Sequence, residues 1–527
     1  MSVARNTLYN LAGAAVPIVL ALVTVPLYLH RLGEARYGVL AIVWLLLGYF
    51  GSFDLGLSRA AANAIARLRD ASSDEREQVF WTACVLNSGL GVAAGIVFYF
   101  AGTSILETWF KISRPLHVEF AAALPWIAAA VPVATVTAAL TGALEGLQRF
   151  RTVNLIQSFG TALFQLAPLV TAFWIGPQLQ FVIPAAVIAR GLAALPLVSA
   201  VRSALPLTQP PRLRWARIRS LYAYGSWVAI TNLVGPILHI FDRFLIGIVL
   251  GASAIADYVV PFQLVSRAQI VPAALSRALF PHLSAIVAAQ SKQVALESVV
   301  TLAAATTPLI VLGLLAIWPF LQVWVGKPFA DRAAPVGEIL LVGAWINGLA
   351  FVPFALLQAR GRPDVVARFH LLELVPFAVV LWFGLHRFGI IAAAAAWTLR
   401  VAVDAALLFN AARLRAEIAK SLVPAAALIA AAGSCALLIP RAFDAARLYA
   451  GVPLWLLSCV WALASSDHVR AFVLGHSRRR KPRLPQLRAT GRRGCRCRLG
   501  SGARAARARR PLPGEFARRE PPSPQRS

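Results

Sequence analysis

Apolar blocks of about twenty residues, separated by short polar links, recur along the chain as far as residue 465. A block of that length crosses the hydrocarbon core of a bilayer as an α-helix. The expected spans are 8–29, 38–57, 79–102, 120–143, 155–174, 181–201, 225–249, 258–286, 298–325, 336–357, 369–386, 389–411, 421–440 and 448–465. Charged residues make up only 14% of the sequence, against about 25% in soluble domains. The fold class is therefore an all-α polytopic membrane protein with about 14 transmembrane helices.

A formal charge of +29 invites a nucleic-acid reading, so its location decides the matter. From Ser466 onward there are 18 Lys and Arg against Asp467, Glu515 and Glu520. The remaining excess is mostly arginine in short loops between spans, where it reports topology rather than a ligand. Loops on the side of the N-terminus carry 19 Lys and Arg, and the opposite loops carry 9. The positive-inside rule places both termini in the cytoplasm and leaves nucleic acid out as a partner.

The stretch from Ser226 to Val260 carries Asp242 and Arg243 near the middle of an apolar run. A charge at the centre of a spanning helix costs about 2.5–3.5 kcal/mol on insertion scales, so this helix belongs in the protein interior. Adjacent helical residues point about 100° apart, which predicts that Asp242 and Arg243 face different neighbours. The same stretch echoes the N-terminus. Asn232-Leu233, Leu250-Gly251 and Tyr258 repeat the order of Asn10-Leu11, Leu32-Gly33 and Tyr37-Gly38. Parallel repeats of this kind point to a transporter of two halves with the substrate path between them.

The expected domains are a six-helix lobe at 1–201, a basic Pro/Arg linker at 202–224 and a second six-helix lobe at 225–411. Two extra transmembrane helices follow at 412–465, then an Arg/Pro-rich tail at 466–527. Arg, Pro, Gly, Ala and Ser dominate that tail, so it cannot bury a core and reads as disordered. Its composition is also what a shifted reading frame in GC-rich DNA yields.

Cys84, Cys435 and Cys459 lie in apolar segments and read as small buried hydrophobes. Cys495 and Cys497 lack the second ligand pair that a zinc site needs. Prolines inside the spans, among them Pro132, Pro168, Pro261 and Pro308, mark kinks. Ionisable residues within or at the ends of spans are Asp54, Arg190, Asp242, Arg243, Arg267, Arg277 and Arg400. Asp404 lies one turn after Arg400 and is expected to pair with it on one helix face. Arg267 and Arg277, ten residues apart, fall broadly on one side of their helix and suggest an anion path. The longest outer loop, Thr103 to Glu119, is too short to house an enzyme, and no metal or nucleotide motif is present. No catalytic residue, metal site or cofactor is expected.

Three stretches in order carry a resemblance: the opening NTLYNLAGAAVPIVLALVTVPLYLHRLGEARYGVLAIV, FDLGLSRA at 53–60, and IFDRFLIGIVLGASAIADYVVPFQLV at 240–265. The chain resembles the bacterial polysaccharide (O-antigen-type) flippases of the multidrug/oligosaccharidyl-lipid/polysaccharide exporter superfamily. The resemblance implies two six-helix lobes around a central cavity, in the bacterial inner membrane. It implies that a polyprenyl-pyrophosphate-linked oligosaccharide is turned from the inner to the outer leaflet, with membrane lipid and polysaccharide-assembly proteins as partners. A lipid II flippase or a multidrug/cation antiporter of the same superfamily is the alternative.

In that superfamily the first two helices of each lobe line the cavity. This makes Asp242, Arg243 and Arg267 the substrate candidates, with Arg190, Arg400 and Asp404 behind them. Aligning Tyr37 with Tyr258 maps Asp54 onto Leu275, within a turn of Arg277. Asp54 and Arg277 are accordingly expected to face each other as a cytoplasmic gate.

Overall fold

The computed structural model describes residues 3–68, 72–108, 112–205, 207, 240–439 and 444–473. Residues 1–476 form one compact unit, and the second unit, 477–527, lies outside the described residues, as do Cys495 and Cys497. Most of the linker and the first part of the 225–249 span also lie outside them.

Helix is the only regular structure among the described residues. The first half runs α1 Val3–Leu32, α2 Glu34–Tyr49, α3 Leu57–Arg67, α4 Ser73–Thr108, α5 Arg114–Gly146, α6 Phe150–Trp174 and α7 Leu179–Ala204. After α8 at 240–249 come α9 Ala252–Ser266, α10 Ile270–Ala285, α11 Ala288–Trp324, α12 Lys327–Ala359, α13 Pro363–Phe388 and α14 Ile390–Ala411. The last are α15 Arg415–Leu438, α16 Asp444–Ser465 and α17 Asp467–Val473.

Nine of the described helices are long and apolar enough to cross a membrane, and two shorter apolar stretches, Ile18–Leu32 and Tyr449–Ser465, accompany them. The sequence count of about 14 exceeds this partly because two expected spans are interrupted. The segment beginning at Glu34 breaks into a 3-10 turn at Phe50–Asp54, and the one beginning at Ala252 breaks at Arg267–Gln269. In the first, Leu55 at φ 50° and Gly56 at φ 76° turn the backbone left-handed before α3 starts. A non-glycine there is uncommon, so the break is a built feature.

These two segments match in length and in how they begin. Each runs 34 residues, Glu34–Arg67 and Ala252–Ala285. Each follows a glycine with nearly the same backbone, Gly33 at φ 79° and ψ 164° and Gly251 at φ 93° and ψ 176°. Only glycine holds that conformation without strain, which is why Leu-Gly recurs at the turn. Registered this way, Asp54 corresponds to Pro272 rather than to the expected Leu275, because both stand 13 residues before the segment's end.

Helix α2 packs along α9. Beyond the breaks, α3 packs on α4 and α5, while α10 packs on α11 and α12. The halves are thus joined through the segments nearest Gly33 and Gly251. A single apolar core runs through this junction, including Tyr37, Leu40 and Val43 of α2 and Ile255, Ala256 and Tyr258 of α9. Helix α12 is the most enclosed of the long spans, and α6 and α13 the least. Exposed Val97, Phe100, Leu372, Val375 and Phe383 give the periphery the apolar surface that lipid requires.

Candidate functional site

Asp242 and Arg243 open the described part of α8 and are both buried, at 0% and 5% exposure. They pair directly, with Arg243 Nη1 donating to Asp242 Oδ1 at 2.6 Å. The expectation that they face different neighbours fails. Cα–Cβ bonds on adjacent residues do diverge, but the Asp242 carboxylate turns back to accept from the Arg243 amide at 2.9 Å, where the same residue's guanidinium also reaches it. The second carboxylate oxygen accepts from the Tyr258 hydroxyl of α9 at 2.8 Å. The guanidinium lies 4.1 Å from the ring centre of Phe262 and 5.4 Å from that of Tyr258. A cation over an aromatic face is attracted to its π-cloud, more strongly where water is excluded. Tyr49, at the end of α2, stands within electrostatic reach of both charges. The pair therefore sits where the two halves meet, satisfied by α9.

Arg267 occupies the break between α9 and α10, and Arg277 lies on α10. Gln269 donates to the Ala344 carbonyl at 2.6 Å and Ser276 to that of Phe351 at 3.3 Å, which fixes the α10 face packed on α12. On the other side Arg267, Ile270, Val271, Ala274 and Arg277 are exposed, and neither arginine forms an ion pair among the described residues. Both arginines are thus exposed and stand apart from the residues that bond α12.

Sequence reasoning passed over Arg59 of α3. It stands eight residues before Arg67, as Arg277 stands eight before Ala285, and it too is exposed. Its position in FDLGLSRA and the repeat together were the available signal.

Asp54 does not reach Arg277 in this structure. Its buried carboxylate accepts from the Gly56 amide at 2.8 Å and the Ser58 amide at 3.0 Å. The left-handed turn at 55–56 presents those N–H groups, and an aspartate before a helix satisfies them as a cap. Arg190 is half-buried on α7 with no ion pair or hydrogen bond among the described residues.

Arg400 does not pair with Asp404 as expected from their spacing. Both turn toward α13, where Arg400 Nη1 lies 3.7 Å from Glu373 Oε2 and Asp404 Oδ1 lies 3.9 Å from His370 Nε2. One helix turn sets which residues share a face, but a second helix offering Glu373 and His370 at the matching spacing splits them. His370 and Glu373 were missed in the sequence, although a glutamate inside the run LLELVPF was visible there.

A family model described as "Polysaccharide biosynthesis protein" matches residues 3–287. A protein of Shigella flexneri described as "Putative O-antigen transporter" is 30% identical over 412 residues, which are 77% of this chain and 97% of that protein. The chain belongs to the polysaccharide biosynthesis protein family. Among solved structures, the lipid II flippase MurJ in an inward closed conformation superposes with a TM-score of 0.68 at 12% identity, covering 89% of this chain and 100% of that one. An inward-facing multidrug MATE transporter gives 0.63 at 12% identity, covering 78% and 98%. Family membership and fold together make the chain a multi-pass membrane transporter, and these relatives and neighbours are transporters and flippases rather than enzymes.

A further set of ion pairs lies at the Gly33–Gly251 end of this family member. Arg332 of α12 bonds both Glu34 of α2 and Asp257 of α9, the latter at 3.2 Å. Arg36 holds Glu119 of α5 with two nitrogens, at 2.9 and 2.6 Å, while Glu119 also accepts from the Leu179 amide of α7 at 3.0 Å. Arg332 is thus a tie between the halves, and Arg36 a tie within the first.

Proposed function

We propose that this chain turns a polyprenyl-pyrophosphate-linked oligosaccharide across the bacterial inner membrane by alternating access. The observation that carries the reading is the exposed arginine face of the two broken segments. Arg267 and Arg277 on one, and Arg59 at the matching place on the other, are exposed at or beyond the breaks of the segments whose first parts, α2 and α9, form the junction. Arginine's planar fork takes two oxygens of a pyrophosphate at once. Arg267 is the main substrate contact, and Arg243, held and neutralised by Asp242, is the substrate candidate behind it at the junction. The lipid tail stays in the bilayer while the charged head follows this wet cationic route.

The two lobes are 1–201 and 225–411, joined by the cytoplasmic linker 202–224 and followed by the helices of 412–465 and the tail. Both termini are cytoplasmic in this reading, which the excess of Lys and Arg in the loops on that side supports. The Gly33–Gly251 end is then the periplasmic end, closed in this state by the α2–α9 contact, and the breaks face the cytoplasm. The gate formed by Asp54 with Arg277 belongs to the opposite state, in which Asp54 exchanges its two amide bonds for the guanidinium.

The test is expression in a strain deleted for its own O-antigen flippase but keeping the matching glycosyltransferases. Surface glycan is expected with the unchanged chain, none with Arg267→Ala at normal protein levels, and a partial return with Arg267→Lys. Rescue of a strain depleted of its lipid II flippase, or gain of resistance to cationic drugs without surface glycan, would overturn the reading in favour of those substrates.

A further inference from the structure

The described cavities and surfaces leave one cluster that the glycan route does not use. His370 and Glu373 of α13 and Arg400 and Asp404 of α14 meet near the middle of two apolar spans. Glu373 is 95% buried by its side chain, and neither of its oxygens has a hydrogen-bond partner among the described residues. One oxygen of Asp404 and Nε of Arg400 are likewise without one. The Arg400 guanidinium also lies 5.5 Å from the ring centre of Phe377, so an apolar wall rather than water backs it.

With His370 neutral, two carboxylates and one permanent cation leave this cluster one positive charge short. An uncompensated charge inside a bilayer is costly, and such residues there mark ion or proton pathways. A proton supplies the missing charge most simply. It moves onto a carboxylate oxygen, converts an acceptor without a donor into an O–H donor, and is released as the same single charge. An alkali cation would need several converging oxygens. Among the described residues no group of three or more acidic, His or Cys side chains has the geometry to hold a metal ion. Arg400 at 3.7 Å from Glu373 would also repel one.

The geometry points to a proton-binding site shared by Glu373 and Asp404, through which transport is coupled to the proton gradient. The coupling half of this inference rests on the transporter reading above, while the binding half does not. His370, the most exposed member at 35% of its side chain, is the way in and out.

The neighbouring elements bring few other charges to this depth. Helix α9 brings Tyr258, within electrostatic reach of Arg400. Helix α12 brings the buried Glu338, beside the Ile339 carbonyl that accepts from Thr398 at 3.0 Å. Asp364 and Arg368 lie at the start of α13, and Arg415, Glu417 and Lys420 at the start of α15, away from mid-span. The cluster is also joined to the central pair. Trp397, one turn before Arg400, stacks edge-on against Phe262 at 5.4 Å, and Phe262 lies under Arg243. Protonation therefore changes the charge next to the aromatic wall that holds Arg243.

The test reads the proton itself. Infrared spectra of the purified full-length chain in lipid, at neutral pH, are expected to show the carbonyl stretch of a protonated carboxylic acid shielded from water. That band should be lost in Glu373→Gln. It should be lost equally in Asp404→Asn, because one carboxylate fewer balances Arg400 without a proton. Either variant suffices if the other fails to fold. A wild-type spectrum without the band, or a band unchanged in either variant, overturns the site. No substrate is present, so that failure is separate from any failure of the flippase reading. For coupling, surface glycan made by the wild type should fall at least tenfold on adding a protonophore, and that made by Glu373→Gln should already be at the lower level. Glu373→Gln with wild-type glycan output overturns the coupling.

Discussion

A Cβ placed on Gly38 of α2 would lie 2.1 Å from the carbonyl oxygen of Ala252 on α9. Small residues let transmembrane backbones come this close, and any side chain must force them apart. The contact belongs to the junction of the two halves, so Gly38→Val should disfavour the state in which that end is closed. The expected outcome is a normally expressed protein with transport reduced at least tenfold. A cysteine placed at Ala35 should become more reactive toward a membrane-impermeant thiol reagent. Unchanged reactivity would show that the contact is not what holds the end shut.

Arg332 ties the same end through Glu34 and Asp257. The Arg332 side chain is 44% exposed, so solvent screens both pairs. Their combined effect should be near that of surface ion pairs, about 1 kcal/mol or less. Arg332→Gln is then expected to move the balance between closed and open ends by about fivefold or less. The same cysteine reactivity measures it. A complete loss of the closed state would mean that Arg332 acts as a lock rather than a bias.

Asp242 and Arg243 behave differently, because both are buried. Removing one partner leaves an unbalanced charge, which costs about 3–5 kcal/mol, while replacing both by apolar residues of similar size is far milder. Arg243→Met alone should therefore lower thermal stability strongly, and Asp242→Leu with Arg243→Met should recover most of it. Tyr258→Phe, which removes one hydrogen bond to the carboxylate, should cost about 1.5–3 kcal/mol. The measurement is a melting curve on each purified variant. If the double variant melts no higher than Arg243→Met, the pair is not held by mutual neutralisation. Transport, by contrast, should be lost in the double variant whatever its stability.

The placement of this pair was partly legible in the sequence. Two charges in the middle of an apolar run announce an interior helix, and Leu-Gly followed by tyrosine announced the repeated turn. What escaped was the partner. Spacing along a helix fixes a face but not which neighbour that face meets. Arg400 and Asp404 share a face, yet each found a residue of α13. Asp54 has local partners in this state, two amides that the left-handed turn after it presents, and spacing along the chain did not announce them. Arg332 read as a loop charge because its partners, Glu34 and Asp257, lie far away in sequence and near only after the halves pack. The register of the repeat shifted for a related reason. Tyr37 and Tyr258 are both fully buried, but the positive-φ glycines, not the tyrosines, mark the start of each segment.

The last prediction concerns Arg59 and Arg277. They stand at the same place in segments of equal length, both exposed, with no ion pair among the described residues. If both hold the anionic head during its passage, each contributes a charge-assisted contact worth about 1.5–3 kcal/mol. Arg59→Ala and Arg277→Ala should then each lower glycan export about tenfold or more. The double variant should lose roughly the product of the two, since distant sites add. Lysine at either position should restore part of the activity, because it keeps the charge but not the fork. A pair of helix-end arginines that merely face lipid headgroups would behave otherwise. Alanine at either place would leave export within about twofold, as for an exposed side chain whose charge is screened by solvent. Export assayed with protein levels held equal separates the two, and a double variant no worse than Arg277→Ala would remove Arg59 from the route.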